Sequence, residues 1–99
     1  MSIEPTSLVV HHNRSAQRFE VEINGQQAFA AYEREGKRMI FTHTEVPPAF
    51  RGGGIAGQLV RVALEFADRE GLRVEPRCSY VQVYLSRHPE FQPLVDHSG

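Results

Sequence analysis

The chain has 99 residues, enough for one domain with a single core, so we predict one domain over residues 1–99. Eleven Lys and Arg residues nearly balance twelve Asp and Glu residues, and this net charge of −1 argues against a nucleic acid as the main partner. No apolar run approaches the roughly 20 residues that cross a bilayer, and the first residues lack a signal-peptide pattern, so we predict a cytoplasmic protein with no membrane partner.

The first half of the chain predicts an antiparallel meander of three or four strands. An apolar run at residues 7–12 predicts a short first strand, and alternating apolar residues and glutamates predict a second at residues 19–23. Asn24 and Gly25 then supply the positive φ angles that a tight hairpin turn requires. Two further strands are predicted at residues 27–33 and 38–46.

A long amphipathic helix is predicted at residues 55–70. Two prolines at residues 47–48 end the preceding strand, because proline cannot donate a hydrogen bond to a strand ladder. Apolar residues then recur at helical spacing, with a polar stripe between them. Gly71 is placed where a left-handed cap would end the helix.

The last part of the chain predicts one more strand and one more helix. A right-handed crossover would place a strand at residues 72–76 parallel to the strand at 38–46. Ser79 is predicted to cap a second helix at residues 80–87, which Pro89 ends. The order predicts an α/β domain with helices packed on a mixed sheet.

Between the prolines and the long helix lies a glycine-rich turn with the sequence FRGGGIAG at residues 50–57. Glycines let the backbone approach a ligand closely, and the helix adds the positive end of its dipole, so an anion site is predicted. A Walker-type loop is excluded because no Gly-Lys-Ser/Thr starts the helix. The dinucleotide spacing G-x-G-x-x-G is matched, with Glu75 near the acidic position, but a short chain of antiparallel hairpins leaves no room for a doubly wound sheet.

The same turn reads Arg51-x-x-Gly54-x-Ala56, which resembles the acyl-CoA motif of the GNAT superfamily of N-acetyltransferases. Similar flanking features are HTEVP at residues 43–47, Cys78 after the following strand, Tyr84, and RHPE at residues 87–90. The resemblance covers residues 38–95 and indicates the very short branch of the superfamily. It implies one minimal GNAT-like domain, with an antiparallel N-terminal meander, a β-α-β crossover and a C-terminal helix.

The resemblance implies acetyl-CoA as cosubstrate and assigns residues to it. Loop and helix N–H groups would hold the CoA pyrophosphate, and the preceding strand would pair with the pantetheine amides. Arg51 would add a mobile positive charge. The implied contacts are Thr44, Val46, Arg51, Gly52, Gly53, Gly54, Ala56 and Gly57. The open alternative is a glycine turn that only lets the helix pack closely.

The resemblance also implies a base on the strand before the loop. A lysine-like amine is only about one part in 10³ neutral at pH 7, so a base is expected to help acetyl transfer. Many GNAT enzymes keep a glutamate there, but here that position falls near Ile40, which does not titrate. We predict His43 as the substitute, because imidazole titrates near neutral pH. Glu45 is a weaker candidate, and a structural role for His43 stays open.

Two more residues complete the implied catalytic set. In this branch a cysteine lies near the thioester, so the Cys78 thiolate is predicted to accept the acetyl group and pass it on. Tyr84 matches in position the tyrosine that protonates the departing CoA thiolate in many GNAT enzymes. The alternatives are a small apolar wall residue at Cys78 and a Tyr84 that only packs, since Tyr80 and Tyr84 share a helix face.

The leading prediction is an N-acetyltransferase that moves an acetyl group from acetyl-CoA to an amine. An acyl-CoA-binding module without turnover and a scaffold without a ligand are the alternatives. In full-length GNAT domains a helix pair at the start helps to wall the acceptor site, and none is predicted here before Phe19. The resemblance therefore implies an open acceptor groove that suits a protein or polyamine tail. We expect no metal, since His11 and His12 would lie on opposite faces of a strand, and a monomer or weak dimer.

Overall fold

The structure, a computed structural model, describes residues 9–96 and folds them into one five-stranded sheet with two α-helices. The elements are β1 (His11–Asn13), β2 (Arg18–Ile23), β3 (Gln26–Glu35), β4 (Arg38–Glu45), α1 (Ile55–Arg69), β5 (Arg73–Pro76) and α2 (Ser79–Arg87). Short 3₁₀ segments, Pro48–Phe50 and Pro89–Leu94, precede α1 and follow α2. The strands lie in the order β1-β2-β3-β4-β5, antiparallel except for the parallel pair β4–β5. The predicted α/β fold with a mixed sheet is confirmed.

The β2–β3 hairpin follows from the alternation of apolar and polar residues. Phe19, Val21 and Ile23 are buried on the face of β2 that meets the core. Asn24 and Gly25 turn the chain with φ of 49° and 79°, the left-handed conformation that the sequence predicted for them. Because side chains alternate along a strand, the three apolar residues, spaced two positions apart, all lie on the same face.

β1 is a short edge strand that one histidine attaches to the core. His12 Nε2 lies 2.6 Å from the Tyr32 hydroxyl, and the imidazole stacks on Phe19 at 4.0 Å between ring centroids. Burial lowers the pKa of His12, and the charge of Arg14 and the neighbouring His11 lower it further. β1 starts later than the strand predicted at residues 7–12, and residues 7 and 8 lie outside the described residues.

A β-bulge in β4 decides to which face of the sheet the side chains at the end of that strand point. His43 pairs with Ala31, but the next pair joins Phe41 to Tyr32, so Thr42 is the extra residue on β4. Beyond the inserted residue, the side chains again alternate between the two faces of the sheet, but each lies on the face opposite to the one it would occupy without the bulge. Thr44 therefore shares the helix-covered face with buried Ala30, while His43 and Glu45 face the other side.

α1 buries one apolar stripe against the sheet and ends in a glycine cap, as predicted. Its buried residues recur at helical spacing: Ile55, Leu59, Val60, Ala63, Leu64, Phe66 and Ala67. Leu72 N donates to Ala67 O at 2.8 Å and Gly71 N to Asp68 O at 3.3 Å, with Gly71 at φ 69°. This pair of bonds is the Schellman arrangement, which requires the left-handed residue that Gly71 supplies.

The junction between β5 and α2 is fixed to β4. The backbone N–H groups of Arg77 and Cys78 both donate to Phe41 O at 3.0 Å. The prediction that Ser79 caps α2 is wrong: Ser79 is the first helical residue, and Cys78 is the N-cap, without a side-chain cap bond. The reason is this anchoring, since it makes Cys78 the last extended residue before the helix begins.

Both helices pack on one face of the sheet. A single buried cluster joins the inward side chains of β2, β3 and β4 to those of α1, α2 and the final 3₁₀ segment. On the opposite face, Glu20 is buried and accepts from Arg18 at 2.7 Å, and the Arg18 guanidinium lies 4.3 Å from the Phe29 ring centroid. Among residues 9–96, no helix has the length and apolar character needed to span a bilayer.

Candidate functional site

The glycine loop connects the end of β4 to the start of α1. Gly52 and Gly54 have φ of 86° and 82°, and a Cβ built on either glycine would meet no atom within 4 Å. Glycine is therefore needed for the backbone conformation and not for space. Gly54 is the N-cap of α1, and the first helical turn contains no acidic residue. The N–H groups at this helix end are left for an anion from outside the helix.

A cleft of about 550 Å³, hereafter the main cleft, lies between the end of β4 and the start of α1. Six of the eight residues predicted to contact CoA line it: Thr44, Val46, Arg51, Gly52, Gly54 and Ala56. Gly57 lines a neighbouring cleft instead, and Gly53 lies in neither lining. The structure thus brings most of the predicted ligand residues together around one space.

The outer half of β4 has a free edge beside the main cleft. β5 pairs with β4 only as far as Phe41 and Pro76, after which the chain leaves for α2. Within residues 9–96, no strand therefore pairs with residues 42–46 on that side. Arg51 Nε donates to Val46 O at 3.0 Å, which places this exposed side chain at the rim of the main cleft.

His43 and Glu45 form a hydrogen-bonded pair in the lining of the main cleft. His43 Nε2 lies 2.7 Å from Glu45 Oε2, and both side chains are about half exposed. Residues two apart in a strand share a face, which brings the two groups together. An imidazole held in this way can take a proton from a group that enters the cleft.

Cys78 lies behind the lining of the main cleft. Its sulphur is 3.5 Å from the hydroxyl oxygen of Thr44, which does line the cleft, and Cys78 is partly buried. As the N-cap of α2, Cys78 also stands at the positive end of that helix. The thiol thus lies between the cleft lining and the first turn of α2.

Tyr84 lies in a second cleft, of about 370 Å³, between α1 and α2. We call it the α1–α2 cleft; Gly54 and Tyr80 line both it and the main cleft. Burial raises the pKa of Tyr84, against the hydrogen bond and charge of Arg61, and burial also raises the pKa of Tyr80. Both phenols therefore keep their protons at neutral pH. The structure does not bring Tyr84 into the cleft lining that holds His43.

The described part of the chain contains no group of three or more His, Cys, Asp or Glu side chains that could hold a metal ion. His11 is exposed, while the imidazole of His12 faces Tyr32 and Phe19 in the core. The two adjacent histidines thus point in different directions, as the strand geometry predicted.

A comparison with models of protein families shows to which family the chain belongs. The family model described as GCN5-related N-acetyl-transferase matches residues 18–94. The chain belongs to this family. The match covers both the glycine loop and the strand before it, which carry the candidate site.

Two further comparisons, with relatives and with a solved structure, show likeness over most of the chain. Protein NATD1 of Xenopus tropicalis is 40% identical over 92 residues, which are 89% of this chain and 84% of that protein. Protein NATD1 of Homo sapiens is 42% identical over 83 residues, 81% of this chain and 74% of that protein. The solution NMR structure of a GCN5-like protein from Staphylococcus aureus matches with a TM-score of 0.71 at 19% identity, covering 94% of this chain and 95% of that one. At this low identity the structural match shows the fold.

The family membership supports acetyl-CoA-dependent acetyl transfer in general. Phe50, Ile55 and Tyr80 also line the main cleft, although the sequence interpretation did not assign them to the site. Tyr80 could have been found, because it lies one helical turn before Tyr84 and near the start of α2. Nothing in the sequence marks Phe50 and Ile55 as site residues except their position on either side of the glycines.

Proposed function

We propose that this chain transfers the acetyl group of acetyl-CoA to an amine. The observation that carries the proposal is the main cleft, which has the glycine loop, the start of α1 and the His43–Glu45 pair in one lining. A ligand that is anionic at one end and reactive at the other fits such a lining. Family membership supports the same class of reaction.

The loop and the helix start supply the binding energy for the diphosphate of CoA. Several N–H groups and the helix dipole act on the same phosphates, and each charge-assisted bond is stronger than a neutral one. Arg51 adds a positive charge at the rim, where Val46 O holds its Nε. The free edge of β4 at residues 42–46 offers backbone groups to the amides of the pantetheine arm, as the assignment of Thr44 and Val46 requires.

His43 acts as the general base in this proposal. It removes the proton of the acceptor ammonium, so that the neutral amine can attack. Glu45 Oε2, 2.7 Å from His43 Nε2, accepts a hydrogen bond from the imidazole and so orients the ring. The position near Ile40 cannot serve as the base, because Ile40 is apolar and fully buried.

Cys78 and Tyr84 act on the thioester side. The Cys78 thiolate attacks the thioester carbonyl, forming an acetyl–sulphur bond while the carbon–sulphur bond to CoA breaks. Tyr84 gives its proton to the departing CoA thiolate. The amine then attacks the acetyl carbonyl and the bond to Cys78 breaks, which regenerates the thiolate, while the proton that the amine loses passes through solvent to the Tyr84 phenolate.

The acceptor reaches His43 from the face of the sheet that carries no helix among residues 9–96. An open face of this kind accommodates a protein segment or a polyamine, which are the acceptors that we propose. We also propose that the protein acts in the cytoplasm as a monomer or weak dimer.

Calorimetry with acetyl-CoA, followed by an assay of CoA release against polyamines and lysine-containing peptides, tests the proposal. We expect binding with a measurable heat and release of CoA that depends on the amine. Binding without release for any amine would leave an acyl-CoA-binding module. If acetyl-CoA does not bind at all, both the acetyltransferase and the acyl-CoA-binding module are ruled out.

A further inference from the structure

Three residues on adjacent strands form a row across the face of the sheet that carries no helix among residues 9–96. Ala31 on β3 is the cross-strand partner of both Arg18 on β2 and His43 on β4, and we call this line the Ala31 row. Adjacent strands lie about 4.8 Å apart, so the row spans roughly 10 Å from Arg18 to His43. The row is lowest at its centre, because Ala31 has only a methyl side chain and is partly exposed.

The Phe29 ring stands along one side of the Ala31 row. Phe29 is two residues before Ala31 on the same strand, so the two side chains share a face. The Arg18 guanidinium lies 4.3 Å from the ring centroid, and the His43 ring centroid lies 6.0 Å from it. The partly exposed ring thus lies against both ends of the row. An aromatic ring in this position suits an apolar chain laid along the row.

Arg18 brings a hydrogen-bond donor to the row, but its charge is already balanced. Its Nε and Nη2 donate to Glu20 Oε2 at 2.9 and 2.7 Å, and Nη2 also donates to Gln27 Oε1 at 2.7 Å. Because Glu20 is buried, this pair has a fixed position on the sheet. Within residues 9–96, Arg18 Nη1 has no hydrogen-bond partner. Nη1 is therefore left to donate to an oxygen atom of a ligand.

The two ends of the Ala31 row differ in what they bind. At one end, the pair of His43 and Glu45 attracts an ammonium group and can take its proton. An extended lysine side chain places its nitrogen roughly 6 Å from Cα, so a lysine whose nitrogen lies at His43 has its backbone near Arg18. A backbone carbonyl there meets Nη1. A polyamine would instead place a second ammonium group where the carboxylate of Glu20 is already paired.

We propose that the Ala31 row binds the acceptor, and that this acceptor is a lysine side chain within a polypeptide. The Phe29 ring contacts the aliphatic stem of the lysine, Arg18 Nη1 donates to a neighbouring backbone carbonyl, and His43 receives the amine. The inference rests on the proposed function, because it needs His43 as the base. Phe29 and Arg18 are then the residues that select the acceptor.

Steady-state CoA release with a lysine peptide, acetylated at its N-terminus and amidated at its C-terminus, tests the role of Phe29. Phe29→Ala should raise KM for the peptide about tenfold at nearly constant kcat, because the contact with the stem is lost. Phe29→Tyr keeps the ring and should behave like the wild type. Calorimetry should show the same acetyl-CoA affinity in both variants. A wild-type KM for the peptide in Phe29→Ala would overturn the role of Phe29.

Ala31→Val tests the same row without removing the ring. Valine favours a strand, so this variant should fold, and its larger side chain fills the centre of the row. We expect a raised KM for the peptide and an unchanged affinity for acetyl-CoA. If Ala31→Val and Phe29→Ala both keep the wild-type KM, the acceptor does not lie on the Ala31 row, although the proposed function still stands.

A double variant tests Arg18 and the kind of acceptor. Arg18→Gln combined with Glu20→Gln removes the ion pair without leaving a buried charge alone. It should raise KM about fivefold for the peptide but not for pentylamine, which has the amine and the stem without a carbonyl. Arg34→Gln, whose side chain bonds Gly36 O at the far end of β3, is the matched control. An equal effect on both amines would overturn the role of Arg18.

The wild-type chain itself decides between the two kinds of acceptor. A higher kcat/KM for the lysine peptide than for spermidine is the expected result. The reverse order would overturn the lysine assignment and favour a polyamine. Acetyl-CoA binding without CoA release for any amine would overturn the proposed function, and the acceptor row with it.

Discussion

The Thr44 hydroxyl oxygen lies 3.5 Å from the Cys78 sulphur, a contact between residues 34 positions apart that joins the free edge of β4 to the start of α2. It places the cysteine of this chain directly behind the cleft that Thr44 lines. A reactive role for Cys78 depends on this neighbourhood.

The first prediction concerns Cys78 as an acetyl acceptor. Mass spectrometry of the wild-type chain after incubation with acetyl-CoA should show one added acetyl group, located on Cys78. Cys78→Ser should lower kcat at least about 100-fold, because a hydroxyl at neutral pH is a far weaker nucleophile. Thr44→Val, which removes only the hydroxyl contact, should retain acetylation. A fully active Cys78→Ser enzyme would rule out covalent transfer.

The second prediction concerns His43 as the base. His43→Gln should lower kcat/KM about 100-fold and remove the acidic limb of its pH profile, because the group that must be deprotonated is gone. Glu45→Gln should reduce the rate less and keep the limb. His11→Gln is the matched control, since His11 is an exposed histidine outside the cleft lining. A pH profile that is the same in wild type and His43→Gln would contradict the assignment.

The third prediction separates ligand binding from backbone strain at Gly54. Gly54→Ala forces a side chain into φ of 82° and should cost about 1–2 kcal/mol of stability, measured by urea unfolding. Gly36→Ala, at φ 58° in the turn between β3 and β4, should cost a similar amount. Only Gly54→Ala should also weaken acetyl-CoA binding, because it alters the loop that we propose binds the phosphates. Unchanged affinity in Gly54→Ala would argue for a purely structural turn.

The fourth prediction distinguishes the two tyrosines of α2. Tyr84→Phe should lower kcat about tenfold or more at nearly constant KM, as expected for loss of a general acid. Tyr80→Phe should mainly raise KM, because Tyr80 lines both clefts, including the main cleft in which we propose that acetyl-CoA binds. The reverse pattern would assign the acid to Tyr80.

The fifth prediction concerns stability in acid. The pKa of His12 is lowered in the folded state from its ordinary value of 6.5, chiefly by burial. The unfolded chain therefore binds more protons below pH 6.5, and stability should fall as the pH decreases from there towards the folded pKa, levelling off below it. The charged and titratable neighbours are Arg14 and His11, with the Tyr32 hydroxyl bonded to Nε2.

His12→Phe should be less stable at neutral pH, because the Tyr32 hydroxyl loses its partner, but its stability should depend less on pH over this range. Urea unfolding at several pH values measures both effects. His11→Gln should keep the wild-type dependence. An unchanged dependence in His12→Phe would show that other groups cause the acid sensitivity.

Local patterns in the sequence were sufficient for most elements of the fold. The alternation at Phe19–Ile23 predicted β2, the pair Asn24 and Gly25 predicted its turn, and helical spacing with Gly71 predicted α1 and its cap. These signals depend on neighbours a few residues apart, because side-chain period and φ preference are properties of short segments. The motif Arg51-x-x-Gly54-x-Ala56 likewise marked the loop that adjoins the main cleft.

Tertiary structure alone decided how the candidate site is assembled. The bulge at Thr42 sets the faces of Thr44 and His43, and a register shift of this kind depends on pairing with β3 rather than on β4 itself. The backbone hydrogen bond from Cys78 to Phe41 makes α2 begin at Ser79, one residue earlier than predicted. It also places the Cys78 sulphur beside Thr44. The α1–α2 cleft exists only because two helices distant in sequence pack side by side, so composition and periodicity could not reveal it.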